Sequence, residues 1–273
     1  MEKMPDADFF TSLGDYTNDS TNEEWDLYDE AMKNINLNTT IAPVAGNHDG
    51  LGVEYWFNNM FNLDTTESVE TSDGVNYSFD YGNIHFAVVN TNDMLTISLS
   101  QLIWLKNDLN STDKDWKIVL MHKSPYSLGK DAKWPDALYL QKSLAKTLDK
   151  CGVDIVFSGH DHTNAFGVRN QNIDIYTSPM TRYKGLAYTT QYGYRVVEID
   201  ENDTSTYTTR VERLYDVFDH DYAKEQKESG DKYSKKISYE LAVKGRTQKI
   251  FTKIYQSVVE FVTGRTVTYP DYK

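Results

Sequence analysis

Val153-Asp154-Ile155-Val156-Phe157-Ser158-Gly159-His160-Asp161-His162 is an apolar, β-prone run that stops at a glycine and then presents two imidazoles. Being rich in Val, Ile and Phe, it fits a strand covered on both faces. Two positions apart at a strand end, His160 and His162 project to the same side. The pattern recurs three times. Phe9-Phe10-Thr11-Ser12 leads into Leu13-Gly14-Asp15, Ile41-Ala42-Pro43-Val44-Ala45 into Gly46-Asn47-His48-Asp49, and Trp116-Lys117-Ile118-Val119-Leu120 into Met121-His122. One Asp, one Asn and several His therefore sit just past four strand ends. Residues outside the carboxyl ends of parallel strands converge on one pocket even when far apart in the chain. Asp, Asn and His together suit Fe, Mn or Zn better than the all-oxygen shell of Mg or Ca.

The segments between these strands alternate with helical patterns. Ser20-Thr21-Asn22-Glu23-Glu24 supplies capping residues, and Trp25, Tyr28, Ala31, Met32 and Ile35 recur at helical spacing. Residues 53–61 read as a short helix. Residues 76–81 and 84–90, joined by Gly82-Asn83, read as a hairpin. Residues 98–109 form a helix with Leu99, Leu102, Ile103 and Leu105 on one stripe. Another helix starts at Pro135 and ends at Gly152. Beyond His162 come short strands at 165–169, 173–177, 192–199 and 204–211, the last two flanking a turn at Asp200-Glu201-Asn202-Asp203. Alternating βα units followed by antiparallel strands give an α/β (α+β) fold of two mixed sheets packed together with helices outside. We expect a main domain over residues 1–215 and a partly helical extension over 216–273, including 247–262.

At 273 residues the chain can bury one sizeable core. Its formal charge of -13 disfavours nucleic acid as a partner. Cys151 is the single cysteine, which excludes an intramolecular disulfide or a thiolate zinc site, and it reads as a small buried hydrophobe at a helix end. No run of about eighteen apolar residues occurs, so no membrane span is expected.

The ordered motifs Gly-Asp, Gly-Asn-His-Asp, His and Gly-His-x-His resemble the calcineurin-like metallophosphoesterases, and within them the bacterial branch related to purple acid phosphatases. The resemblance covers roughly residues 5–200, and four motifs in order are a specific signal. It implies a four-layer αββα sandwich and a phosphoric ester hydrolase, foremost a phosphomonoesterase, using a metal-bound hydroxide for in-line attack on phosphorus. Phosphodiesterases and nucleotidases share these ligands. The implied cofactors are two divalent or trivalent ions, Fe, Mn or Zn, and the implied partner is a small phosphorylated substrate. By resemblance Asp15 bridges both ions, Asn47, His122 and His160 complete one shell, and His162 binds the other ion. His48 lies outside the ligand set beside the leaving group, where it donates a proton or hydrogen bond.

Family members often orient that histidine with an acidic residue three positions after the bridging Asp. Asn18 stands there, with Asp19 beside it, and Asp49 is a further candidate. Purple acid phosphatases carry a Tyr at that same position. This chain has Asn18 there and Tyr16 one residue after Asp15, so no tyrosinate charge-transfer band is expected. Tyr16, Asn18, Lys123, Tyr126 and Arg182 are candidates for substrate phosphate, whereas His85 and His220 read as ordinary structural or surface residues.

The family's opening Asp-x-His strand is not seen upstream of Gly14-Asp15. Asp6 and Asp8 stand at the wrong end of their strand, about 20 Å from the site at ~3.3 Å per residue, and do not replace it. We therefore expect a chain cut from a longer bacterial protein, with its first metal site holding only Asp15 and His162 and an exposed edge that favours self-association. A mono-metal or non-catalytic domain of the same fold is the alternative. An extracellular or cell-surface location is expected for the parent protein, a cytoplasmic one being the alternative.

Overall fold

The computed structural model describes residues 6–33, 40–50, 75–92, 96–127, 135–161, 165–169, 173–177, 193–200, 206–213 and 267–268. The fold is mixed α/β with more than one sheet. The chain divides into two compact units, one of Met1–Tyr126 with Trp134–His160, the other of Ser127–Lys133 with Asp161–Lys273. The boundary expected at 215/216 falls inside the second unit. The helices expected at 53–61 and 247–262, and His162, Arg182 and His220, lie outside the described residues.

In the first unit, β1 (Phe9–Ser12) runs parallel to β2 (Thr40–Pro43). Beyond the last pair, Ser12 with Pro43, Val44 N–H donates to the Ser12 carbonyl at 3.1 Å, so both strands deliver their loops at one level. A second sheet holds β3 (Tyr77–Tyr81), β4 (Ile84–Val89), β5 (Trp116–Met121) and β6 (Ile155–Ser158). β3 and β4 are antiparallel, joined at Gly82-Asn83 as the sequence suggests, and β4, β5 and β6 are parallel. Val89 pairs with Met121 and Met121 with Ser158, so these three strands also end level. Every residue of β4 and β6 is buried, as sheets covered on both faces require. Phe9 of β1 packs edge-on against Phe79 and Phe86 at ring distances of 5.6 and 5.2 Å, which lays the first sheet against the second.

Three helices are described. α1 (Asn22–Lys33) starts at a capping box: Glu24 N–H donates to Thr21 Oγ1 at 3.3 Å and Thr21 N–H to Glu24 Oε2 at 3.2 Å. α2 (Leu99–Ser111) has a second box between Ser98 and Gln101. Its buried residues are Gln101, Trp104, Leu105 and Leu109, while Leu99 and Ile103 are 72% and 52% exposed, so the stripe expected from the sequence is corrected. The helix turns because Gln101 Nε2 reaches inward to Asn76 Oδ1 and the Asn90 carbonyl at 3.1 and 2.8 Å and takes Trp104 with it. α3 (Pro135–Cys151) buries Ala137, Leu140, Leu144, Ala145, Leu148 and Cys151 at helical spacing, each large aliphatic chain contributing roughly 1.5–3 kcal/mol. No helix among the described residues is long and apolar enough to cross a membrane.

In the second unit β7 (Ala165–Arg169) is flanked by antiparallel β8 (Ile173–Thr177) and β11 (Val267–Thr268), and β9 (Gly193–Ile199) pairs with β10 (Tyr207–Arg213) as a hairpin. Tyr176 and Tyr207 share a hydroxyl hydrogen bond of 2.8 Å, and Arg195 lies over the Tyr176 ring at 4.4 Å.

Candidate metal centre

The ends of β1, β2, β5 and β6 deliver Asp15, Asn47, His122 and His160 through loops that touch backbone to backbone. Gly14 lies at φ +95°, and a Cβ there would stand 2.5 Å from His122 Nδ1 and 2.7 Å from Gly46 Cα. At Gly46 a Cβ would collide with Asp15 N. Asp15 and His160 both lie at φ 61°, in the left-handed region that costs a non-glycine residue about 1–3 kcal/mol. Strain of this kind persists where the surroundings over-determine the backbone, and it clusters at functional sites.

Asp49 supplies that determination. Fully buried, its carboxylate accepts main-chain N–H bonds from Gly46 at 2.7 Å, Asp15 at 3.1 Å, Tyr16 at 2.7 Å and Thr17 at 3.1 Å. Burial pushes the Asp49 carboxyl up, and the N–H groups of Gly46 and Thr17 oppose it. The sequence offered Asp49 as a partner for the His48 ring. Instead its two oxygens hold the backbone of the Asp15 loop against that of the Asn47 loop.

His122 is 1% exposed, and its Nδ1 donates to the Leu13 carbonyl at 2.6 Å. A carbonyl only accepts, so the neutral ring's lone pair belongs to Nε2. Around that lone pair stand Asn47 Oδ1 at 3.0 Å, His160 Nδ1 at 3.2 Å and Asp15 Oδ1 at 3.4 Å. One proton serves one such pair at a time, whereas a cation serves all four atoms. An imidazole held by a carbonyl on its far side is the usual arrangement of a metal-binding histidine. Burial, together with His122 and Lys123, pushes His160 down to about 3, keeping it neutral as ligation requires. Burial raises the Asp15 carboxyl, but the His48 N–H and, when its ring carries a second proton, His122 hold it well below the usual carboxylate range. Among the described residues no three His, Cys, Asp or Glu side chains make a metal shell by themselves, and the Asn47 amide belongs to this set.

His48 stands at the rim. Its N–H donates to Asp15 Oδ1 at 2.9 Å, and its ring Nδ1 donates to the Asn18 carbonyl at 2.7 Å. Among the described residues the orienting group is thus the main chain of Asn18. Asp19 instead accepts from Asn18 Nδ2 at 2.7 Å. The Asn18 and Asp19 N–H groups are both gripped by Glu24, at 3.2 and 2.9 Å. Sequence reasoning missed this role, although the Thr21-x-x-Glu24 capping pattern was its visible signal.

Two of the expected substrate contacts are corrected. Tyr126 is fully buried with its hydroxyl on the Ala145 carbonyl at 3.2 Å, so it faces the core. Tyr16 turns its hydroxyl to the Ser12 carbonyl at 3.4 Å, and its ring meets Trp25 and Tyr28 at 6.3 and 5.2 Å, so it braces α1. Lys123 pairs with Asp136 at 3.1 Å, and its N–H donates to Thr91 Oγ1 at 2.8 Å. Asp8, at the far end of β1, accepts from the Tyr81 hydroxyl at 2.7 Å.

Purple acid phosphatase 15 of Arabidopsis thaliana is 28% identical over 159 residues, which is 55% of this chain and 30% of that protein. The mouse (Mus musculus) serine/threonine-protein phosphatase CPPED1 is 29% identical over 196 residues, 64% of this chain and 59% of that protein. The chain thus spans less than two thirds of either relative. The solved structure of purple acid phosphatase PPD1 from yellow lupin (Lupinus luteus) shares the fold, with a TM-score of 0.54 at 17% identity over 77% of this chain and 47% of that one. The calcineurin-like phosphoesterase family model matches residues 1–164, more than half of the chain, and the protein belongs to that metallophosphoesterase family.

Proposed function

We propose that the chain hydrolyses a small phosphomonoester with the help of two metal ions, Fe, Mn or Zn. The observation that carries this reading is the convergence of Asp15, Asn47 and His160 on the lone pair of His122 Nε2. When bound, such a pair of ions neutralises the equatorial phosphoryl oxygens and acidifies a water for in-line attack. Asp15, Asn47, His122 and His160 would hold the ions, with His162 as the further ligand that the family resemblance implies. Asp49 keeps the Asp15 and Asn47 loops in contact, so the ligands are placed before metal arrives. His48, presented beside Asp15, passes a proton or hydrogen bond to the leaving oxygen, a role worth about 10²- to 10⁴-fold in rate.

The test is metal analysis of the purified chain beside assays on p-nitrophenyl phosphate, bis-p-nitrophenyl phosphate and a nucleotide. Two metal equivalents with turnover on the monoester support the reading. A chain that binds metal and cleaves only the diester would move it to a phosphodiesterase, and one that binds no Fe, Mn or Zn would overturn it.

A further inference from the structure

We propose that Glu24 is the positioning residue for His48, acting through the single peptide unit that joins Asn18 to Asp19. This rests on the role given to His48 above. Glu24 Oε2 accepts the Asp19 N–H at 2.9 Å, and the carbonyl of that same peptide, on Asn18, accepts His48 Nδ1–H at 2.7 Å. Among the described residues no peptide bond is cis, so this unit is a planar trans amide, with N–H and C=O pointing in opposite directions. The carboxylate therefore grips one side of a rigid plate whose other side holds the imidazole. Glu24 Oε1 takes the Asn18 N–H as well, at 3.2 Å, which fixes the preceding peptide and leaves the plate no rotation about Asn18.

The arrangement is electrical as well as mechanical. An anion on the N–H of an amide polarises it and strengthens its carbonyl as an acceptor, the cooperativity expected of linked hydrogen bonds. Glu24, the amide and His48 then behave as a carboxylate–imidazole pair with one peptide inserted. The position three residues after Asp15 holds Asn18, whose side chain has no charge, and the charge enters from α1 instead. Burial, the largest single effect, raises the Glu24 carboxyl, and the Asp19, Thr21 and Asn18 N–H groups together outweigh it and hold the group below its ordinary value. The carbonyl only accepts, so it keeps a proton on Nδ1 and leaves Nε2 as the nitrogen that gives a proton or hydrogen bond to the leaving oxygen.

The experiment compares the full chain with E24Q, T21A, H48A and E24Q/H48A. Imidazole NMR at neutral pH reads the slowly exchanging Nδ1–H of His48, identified by its loss in H48A. The signal is expected in the parent chain and in T21A, which removes the Thr21 hydroxyl of the helix cap but leaves Glu24 bonded to Asn18 and Asp19. It is expected to vanish in E24Q. Metal content and melting temperature of E24Q should match those of T21A. Steady-state assays should show kcat falling about 10- to 100-fold in E24Q with KM little changed, the usual cost of losing an outer orienting partner. In the H48A background E24Q should add nothing. A parent chain without the Nδ1–H signal, an E24Q chain that keeps it, or effects of E24Q and H48A that multiply would each overturn the proposal. If the parent chain cleaves no phosphate ester, the functional reading above fails, and the NMR comparison alone decides the role of Glu24.

Discussion

His122 and Leu13, 109 residues apart in the chain, are joined by a 2.6 Å hydrogen bond from the ring Nδ1 to the main-chain carbonyl. The end of β5 is thereby fastened to the end of β1, and the ring's second nitrogen is aimed at Asn47, Asp15 and His160. Replacing His122 should therefore weaken metal binding strongly and also remove this one tie between the two strand ends. His122→Ala is expected to lower metal affinity by about 100-fold or more, the upper end of what loss of an orienting partner alone costs. His160→Ala should behave alike, whereas His48→Ala should keep its metal and lose about 10²- to 10⁴-fold in turnover. Metal titration followed by assay separates the two classes. A His48 variant as empty of metal as the His160 variant would contradict the assignment.

Asp49→Ala should be the most damaging single substitution near the site. It orphans four main-chain N–H groups, those of Gly46, Asp15, Tyr16 and Thr17. An unsatisfied buried donor costs about 1–3 kcal/mol, and four sharing one acceptor should cost at least about 3 kcal/mol together. Urea unfolding at neutral pH measures this. A loss below about 1 kcal/mol would mean that water replaces the carboxylate without penalty.

Gly46→Ala tests the approach of the loops. The added methyl would strike the Asp15 backbone, so the β1 and β2 ends must separate and Asp15 must leave its left-handed conformation. Expected are a lower melting temperature and reduced metal content together. An alanine variant of unchanged stability that binds metal normally would show that the loops do not meet as described.

His85 gives the fold a pH dependence of its own. Its Nδ1 meets Asp80 at 2.7 Å and its Nε2 meets Asp108 at 2.8 Å, within a buried ring. Burial lowers its pKa, but hydrogen bonds and charge from Asp108 and Asp80 outweigh burial and raise it above the ordinary histidine value. The native state therefore holds the proton more tightly than the unfolded chain. The resulting stabilisation is fully present below the unfolded value of about 6.5 and is lost as pH rises through the folded one. Urea midpoints measured from pH 5 to 9 should fall across that window in the parent chain and less in His85→Gln. Parallel curves for the two proteins would remove His85 as the cause.

Strand ends were the part of this molecule most legible in the sequence. An apolar run followed by a ligand residue, with a glycine between them after β1, β2 and β6, reports both the strand and the place where it stops, and β1, β2, β5 and β6 stand where those runs lie. Helix faces were less legible. The α2 stripe was read from aliphatic spacing, but the helix is turned by the inward hydrogen bonds of Gln101, a polar residue that apolar periodicity does not count. Tyr16 and Tyr126 were offered to substrate because of their place in the chain, and burial turned both hydroxyls to carbonyls. β11 is a two-residue strand whose partner β7 lies about a hundred positions upstream, and no local pattern announces such a pairing. Glu24 was visible only as a helix cap, because nothing in a linear pattern says which peptide plane a carboxylate grips.

The level ends of β4, β5 and β6 have a consequence for how this chain tolerates change in length. Val119 pairs with Ala87 on one side and Val156 on the other, and Met121 pairs with Val89 and Ser158. Deleting one residue between Ile118 and Met121 would invert every side chain beyond it, sending buried groups to the opposite face and swinging His122 away from Asn47. Substituting one aliphatic residue for another at the same positions would keep that alignment. Along these strands the sheet works as a ruler, permissive toward the kind of apolar residue at each mark and intolerant of a missing mark.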